Sequence, residues 1–467
     1  MITSVPAAST ALDIPETLIR RFDTLGPRYT SYPTADRFHT GFTAQSYVQY
    51  LQQRASAQQK APLSLYIHIP FCASLCYYCA CNKVITKDRS RSARYLAYLE
   101  KELKLVLQHL PVRETVSQLH LGGGTPTFLS HDELRQLMAM LRAHFDFSVD
   151  AEISIEIDPR TVDTETLALL QQLGFNRTSL GVQDFDADVQ KAVHRIQDFA
   201  MVERTIRESR EFGFSSINFD LIYGLPKQNL DSFTRTLDQV IELAPDRIAL
   251  YNYAHLPTRF KPQRRIAEAD LPSAEQRLQI FLMSLRRLIE AGYVYIGLDH
   301  FAKPDDGLAR AMADGSLHRN FQGYTTRSDC DLIALGLSSI GKLGQSYVQN
   351  LRTLDEYYQA LDEGVLPVEK GIHLVDEDVQ RREIIMDLMC SNGLNYAQLS
   401  ERFQLDFKVH FAQELRMLRT YEESGLLAFD QDDVRVLPKG RFFVRAFAMI
   451  FDQFLSEQTT AKYSKLI

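Results

Sequence analysis

The chain has 467 residues, 45% hydrophobic and 24% charged, the balance of a globular protein long enough for at least two domains and for a buried catalytic site. Its net charge of −7 argues against nucleic acid or an anionic membrane surface as the principal partner, because both select a basic face. The opening MITSVPAASTAL has no basic or apolar leader region and the apolar FFVRAFAMIF at 442 to 451 is too short to span a bilayer, so a cytoplasmic location is expected.

Residues 1–60 carry GPRYTSYPTADRF without a repeating pattern and are expected to form an N-terminal arm over the active site. From about 63 to 257 one rhythm recurs: a short apolar or alternating run, a Gly/Pro or polar punctuation, then an amphipathic helical stretch. Six strand candidates stand out: LSLYIHIP (63 to 70), VSQLHLGGG (116 to 124), AEISIEIDP (151 to 159), RTSLGVQDF (177 to 185), SSINFDLIYGLP (215 to 226) and RIALYNYAHLP (247 to 257). Helical patterns such as SARYLAYLEKELKLVLQHL and DSFTRTLDQVIEL separate them, the latter opening on an Asp/Ser pair suited to an N-cap. Strands alternating with helices require parallel pairing and right-handed crossovers, so the fold class expected is α/β, an open (β/α)6 partial barrel. Barrel and extension fill 61–370, the extension mixing the helix SAEQRLQIFLMSLRRLIEAG with loop-rich stretches such as GLDHFAKPDDG and HRNFQGYTTRSD.

Residues 371–467 read as helix (RREIIMDLMC), helix (YAQLSERF), helix (VHFAQELRMLRTYEESG) and hairpin (LLAFDQDDVRVLP), a mostly helical, winged-helix-like domain. With 12 Lys/Arg against 15 Asp/Glu, a balance of −3, this module is expected to be structural and not a reader of DNA.

Four of the six cysteines crowd FCASLCYYCACN, where Cys72, Cys76, Cys79 and Cys81 follow the first strand, at the end where barrel enzymes place their chemistry. Three closely spaced thiolates can hold three corners of a [4Fe–4S] cluster and leave the fourth iron for a small chelating ligand. S-Adenosylmethionine fits that vacancy through its amino and carboxylate groups, and one electron from the cluster then yields a 5′-deoxyadenosyl radical. A four-cysteine zinc site competes, but zinc usually takes two separated knuckles and not one loop of irregular spacing. Tyr78 offers a ring to an adenine or to loop packing. The GGG turn ending the second strand, with Gly123 and Gly124, lets backbone approach a ligand, and no GK[ST] follows to make it a phosphate loop. Glu156, Gln183 and Asp220 recur at strand ends, where an unpaired polar group would cost roughly 1 to 3 kcal/mol; they are expected to converge on the cofactor. Arg195 follows the fourth strand, and His68 reads as a hydrogen-bonded barrel histidine.

Together YIHIPFC, CNKVIT, LGGGTPT, EIDP, GVQDF, INFDLIYGLP, GLDHFA, HRNFQGYTT and the arm's PRYTSYPTA make the chain resemble, over nearly its whole length, the oxygen-independent coproporphyrinogen III oxidase family of radical S-adenosylmethionine enzymes. The resemblance implies oxidative decarboxylation of two propionates of coproporphyrinogen III to vinyl groups, giving protoporphyrinogen IX in haem biosynthesis, with two bound S-adenosylmethionine molecules. It implies Cys72, Cys76 and Cys79 as cluster ligands and Cys81 as a required cysteine that is not a ligand. Tyr66, Gly123, Glu156 and Ile340 match contacts to the cofactor on the cluster; Tyr78, Gly124, Thr125, Gln183, Arg195, Asp220 and Ala254 match contacts to the second. Position 78 is often Phe in the family, so Tyr78 is a departure that preserves stacking. The substrate's propionates call for cations, for which Arg20, Arg21, Arg28, Arg37, Arg319 and Arg327 are candidates. An unidentified electron donor and acceptor and a monomeric state complete the expectation. The alternatives are a haem-binding chaperone relative of the same fold and a zinc-bearing winged-helix regulator; the chaperone relatives lack the PRYTSYPTA arm and Cys81.

Overall fold

Leu63–Ile69 (β1) is buried at nearly every position, as expected of a parallel strand covered on both faces. Around it a computed structural model describes residues 14–22, 24–327, 330–391 and 393–455. The leader reading of MITSVPAASTAL, the last two residues of HRNFQGYTTRSD and the final twelve of the chain lie outside the described residues. By compactness the described residues fall into two units, one drawn from 1–37, 285–328 and 374–467, the other from 38–284 and 329–373.

The larger unit holds the repeating pattern. After β1 come Glu114–Gly123 (β2), Phe145–Ile157 (β3), Arg177–Gln183 (β4), Ser216–Tyr223 (β5) and Arg247–Asn252 (β6). Each pairs in parallel with the next. The connections are helices with identifiable ends. Ser130 accepts from the Glu133 amide at 3.3 Å while Glu133 returns a bond to the Ser130 amide at 2.8 Å, opening the helix His131–His144. The helix Leu230–Leu243 starts earlier than its Asp/Ser pair suggests, because Asn229 takes the cap by accepting from the Ser232 amide at 2.9 Å. These six strands are the expected open barrel.

The sequence gives no warning that β1 has a second parallel neighbour. Asp331–Leu335 (β7) lies along it with Leu65 opposite Ile333, and Ile340–Leu343 (β8), Ser346–Asn350 (β9) and Val368–His373 (β10) continue the sheet antiparallel. Within this unit the order is β10, β9, β8, β7, β1, β2, β3, β4, β5, β6. The strand that leads into the cysteine loop is therefore central.

In the smaller unit, the helices Asp376–Cys390 and Tyr396–Phe403 accompany a three-stranded sheet of Gly393–Asn395, Asp433–Val436 and Leu427–Phe429, the expected winged-helix-like pattern. The PRYTSYPTA segment is built into this unit: Tyr29 donates to Asp452 at 2.9 Å, Tyr32 packs on Phe454, and Arg445 donates to the Pro27 carbonyl at 2.9 Å. No helix among the described residues is long and apolar enough to cross a membrane.

Candidate active site

The cysteine loop is pinned at both ends. Phe71–Cys72 pairs in parallel with Val84–Ile85, and the Val84 amide donates to the Pro70 carbonyl at 2.7 Å, so residues 73–83 form a closed excursion beyond the C-terminal end of β1. The Tyr77 amide donates to the Val193 carbonyl at 3.0 Å, tying the loop's outer turn to the segment after β4. His68 lies buried beneath, hydrogen-bonded to the Tyr66 hydroxyl and the Asn82 carbonyl, each at 3.1 Å, and burial holds its pKa down. It is the satisfied barrel histidine expected.

The thiols differ in their surroundings. Burial pushes Cys72 up to about 11 although Thr125 donates to its sulfur at 3.5 Å. Cys79 is drawn down to about 6, first by a hydrogen bond from Cys81 and then by Lys83, and Cys81 correspondingly keeps its proton far above its ordinary range. The two thiols thus share one hydrogen bond beside Lys83. Among the described residues no three His, Cys, Asp or Glu side chains gather around a single ion's position; a cubane needs no such convergence, because each thiolate takes its own iron.

Beside the loop the barrel mouth opens into a cavity of about 490 Å³, whose wall includes Cys72, Cys76, Tyr78, Cys79, Cys81, Gly123, Gly124, Thr125, Glu156, Gln183, Arg195 and Asp220. Gly123 has φ +114°, and a Cβ there would sit 2.7 Å from the His68 ring; at Gly124 it would meet the Pro70 carbonyl oxygen at 2.7 Å. Only glycine leaves this backbone close to the cavity. Glu156 accepts from the Gly123 amide at 3.1 Å and lies 3.3 Å from His120 Nε2. Asp220, raised to about 6 by burial, accepts from Ser179 at 2.8 Å and Asn218 at 2.9 Å. Gln183 stands at φ +68° where the β4–β5 register shifts, which turns the chain into the mouth. Arg195 donates to the Gly181 carbonyl at 2.6 Å and to Asp158 at 3.1 Å. Thiols, open backbone and carboxylates on one cavity wall fit a cluster and an amino-acid-bearing nucleoside.

Tyr66, Ala254 and Ile340 stand outside this wall. Tyr66 stacks on His120. Gln263 bridges the Ala254 and Tyr78 carbonyls at 3.2 and 3.1 Å, linking Ala254 to the cavity indirectly, and Ile340 begins β8. Sequence reasoning missed Lys83, Asp158, Arg160 and Ser179 in the wall. Asp158 caps the turn Pro159–Thr161; the D-P-R tripeptide carries that turn signal but nothing in it points to a cavity. The six arginines considered for propionates all belong to the smaller unit, where Arg28 pairs with Asp299 and Arg319 is buried over Tyr324.

Residues 66–240 match the model of the Radical SAM superfamily, and residues 374–443 that of the HemN C-terminal domain. The oxygen-independent coproporphyrinogen III oxidase of Pseudomonas aeruginosa is 50% identical over 452 residues, spanning 96% of this chain and 98% of its own. The chain belongs to the oxygen-independent coproporphyrinogen III oxidase family. The family's Escherichia coli protein is 45% identical over 453 residues, with the same two shares. The solved structure of coproporphyrinogen III oxidase from E. coli, described as a radical SAM enzyme, superposes with a TM-score of 0.90 at 44% identity, covering 96% of this chain and 100% of that one. Family membership makes the chain a radical SAM oxidoreductase using a [4Fe–4S] cluster and S-adenosylmethionine, which sets aside the zinc-bearing regulator.

Proposed function

We propose that this chain decarboxylates two propionates of coproporphyrinogen III to vinyl groups, yielding protoporphyrinogen IX without oxygen. The observation that supports this most is the meeting of three thiols, an open glycine turn and the carboxylates of Glu156 and Asp220 on one cavity. Bound there, the cluster and S-adenosylmethionine supply one-electron chemistry able to take hydrogen from an unactivated propionate carbon, which acid–base side chains cannot do. In this reading Cys72, Cys76 and Cys79 hold the cluster, and Cys81 keeps a proton beside it. Tyr66, Gly123, Glu156 and Ile340 orient one S-adenosylmethionine; Tyr78, Gly124, Thr125, Gln183, Arg195, Asp220 and Ala254 orient a second. The arm, residues 1–60, shields the substrate from water. An external reductant feeds the cluster, a separate acceptor takes the final electron, and the enzyme works as a cytoplasmic monomer.

The test is anaerobic incubation with coproporphyrinogen III, reductant and S-adenosylmethionine, read as product fluorescence after oxidation. The expected result is protoporphyrin, with two 5′-deoxyadenosines released per product after subtraction of a no-substrate control. Tight porphyrin or haem binding without conversion would place the chain with haem-carrying relatives instead. A ratio near one would remove the second cofactor.

A further inference from the structure

Behind Cys76 the structure holds a group of charges of which Arg195 alone is among the proposed cofactor contacts. Asp158, at the C-terminal end of β3, binds two guanidinium groups at once. Arg160 Nε donates to its carboxylate at 2.9 and 3.2 Å and Arg160 Nη2 at 2.6 Å, while Arg195 Nη1 donates to the same Oδ2 at 3.1 Å. Both guanidiniums also face the Cys76 sulfur, Arg160 Nη2 at 3.8 Å and Arg195 Nη1 at 3.6 Å. The side chains of Asp158, Arg160 and Arg195 are 10%, 19% and 8% exposed.

Two cations share one carboxylate in this largely buried place, and an excess positive charge there is costly unless a second anion completes the set. The Cys76 sulfur is the further acceptor that both guanidiniums reach. Arg160 is fixed for the purpose: its own turn, Pro159–Thr161, is capped by Asp158, which also accepts from the Arg160 amide at 3.1 Å. One carboxylate thus sets both the backbone and the fork of Arg160, and with them the direction of the N–H that meets the sulfur.

We infer that Arg160, held by Asp158, is a positioning residue for the cluster, donating to the Cys76 sulfur and thereby raising the cluster's reduction potential. A donor to a ligand sulfur stabilises the electron-rich reduced state more than the oxidised one. The inference rests on the reading of Cys76 as a cluster ligand.

The test uses the full chain reconstituted anaerobically, without S-adenosylmethionine or substrate, and follows reduction of the cluster by a potentiometric titration with electron paramagnetic resonance. In Arg160→Gln, with iron and sulfide content at the wild-type level, the ratio of reduced to oxidised cluster at a fixed poise should fall roughly tenfold, about 59 mV for one electron. Arg160→Lys, which keeps the charge but loses the fork, should fall between the two. Unchanged potentials in both variants overturn the inference, as does an Arg160→Lys enzyme that loses iron while its remaining cluster titrates as wild type, since Arg160 is then only a brace. A Cys76→Ala chain that retains full iron fails differently: it removes the ligand reading beneath the inference.

Discussion

Asp184 and Asp220 follow and lie within neighbouring strands, β4 and β5, and burial raises both to about 6. Their surroundings differ. Asp184 is 1% exposed and accepts from the Asp186 amide and Thr236, both at 2.7 Å, and from Gln228 at 2.5 Å. Asp220 accepts from two donors and faces the cavity. A carboxylate has about four acceptor sites, so Asp184 is nearly saturated by its own fold while Asp220 keeps capacity for something else. The raised pKa reports burial in both. Spare acceptor capacity beside open volume is what separates a site from a strut.

The largest expected effect is on the mouth side. Replacing Cys72, Cys76 or Cys79 by Ala should remove most of the cluster iron and the brown absorbance and abolish turnover, whereas Cys81→Ser should keep iron and lose turnover. Iron and sulfide analysis after anaerobic reconstitution decides it, and equal iron loss in all four would undo the division among the cysteines.

Next, Asp220→Ala and Asp184→Ala should part company. The first should lower product formation roughly 10- to 100-fold with iron content intact, for loss of hydrogen bonds to a charged acceptor. The second should cost about 1 to 3 kcal/mol of stability by orphaning buried donors, with turnover per cluster close to wild type in the folded fraction. Product rate and denaturant midpoints measured on both variants would break the comparison if their phenotypes were exchanged.

Glu102 sharpens the sealed side. It is 2% exposed and accepts from Tyr357 at 2.5 Å, Asn350 at 2.6 Å and the Gly336 amide at 2.8 Å, yet burial still raises it from 4.5 to about 7. Between those values the folded form binds the proton more tightly than the unfolded chain. The stability this group contributes is therefore present below pH 4.5 and lost as pH rises through 7, on the order of 3 kcal/mol in all. Glu102→Gln should flatten that slope, read as unfolding midpoints of the cluster-free protein at pH 5 and 8. A slope unaltered by the substitution would assign the pH dependence to other groups.

The smallest effect belongs to Ser179→Ala, which leaves Asp220 with Asn218 as its remaining donor. A several-fold rise in the S-adenosylmethionine concentration for half-maximal rate is expected, with kcat nearly unchanged. A loss of stability without that rise would make Ser179 part of the frame.

The sequence makes the barrel legible because buried parallel strands leave continuous apolar runs between Gly and Pro punctuation, as LSLYIHIP and INFDLIYGLP do. The same logic fails for β7 to β10. Their segments are short, carry Lys342, Gln349 and Asn350, and are broken by Gly336, Ser338, Ser339 and Gly344, so locally they read as loop; β7 is recognisable only through its pairing with β1, far away in the chain. At the site, the cysteine spacing and glycine turn state their chemistry locally. Ile340 and Ala254 have no local signal and entered through resemblance alone, and Arg160 is hidden inside a turn motif whose second use depends on where Cys76 comes to rest.

The place of β1 between β2 and β7 also orders events during synthesis. The strand and its cysteine loop leave the ribosome early, and β2 follows soon after, but β7 emerges only after more than half the chain has been made. Until then β1 is an open edge, the kind of surface on which a nascent chain can mispair. The cavity wall is drawn from residues 72–251 and has left the ribosome before β7 does, so the late step in building the larger unit is the closing of β1's open edge.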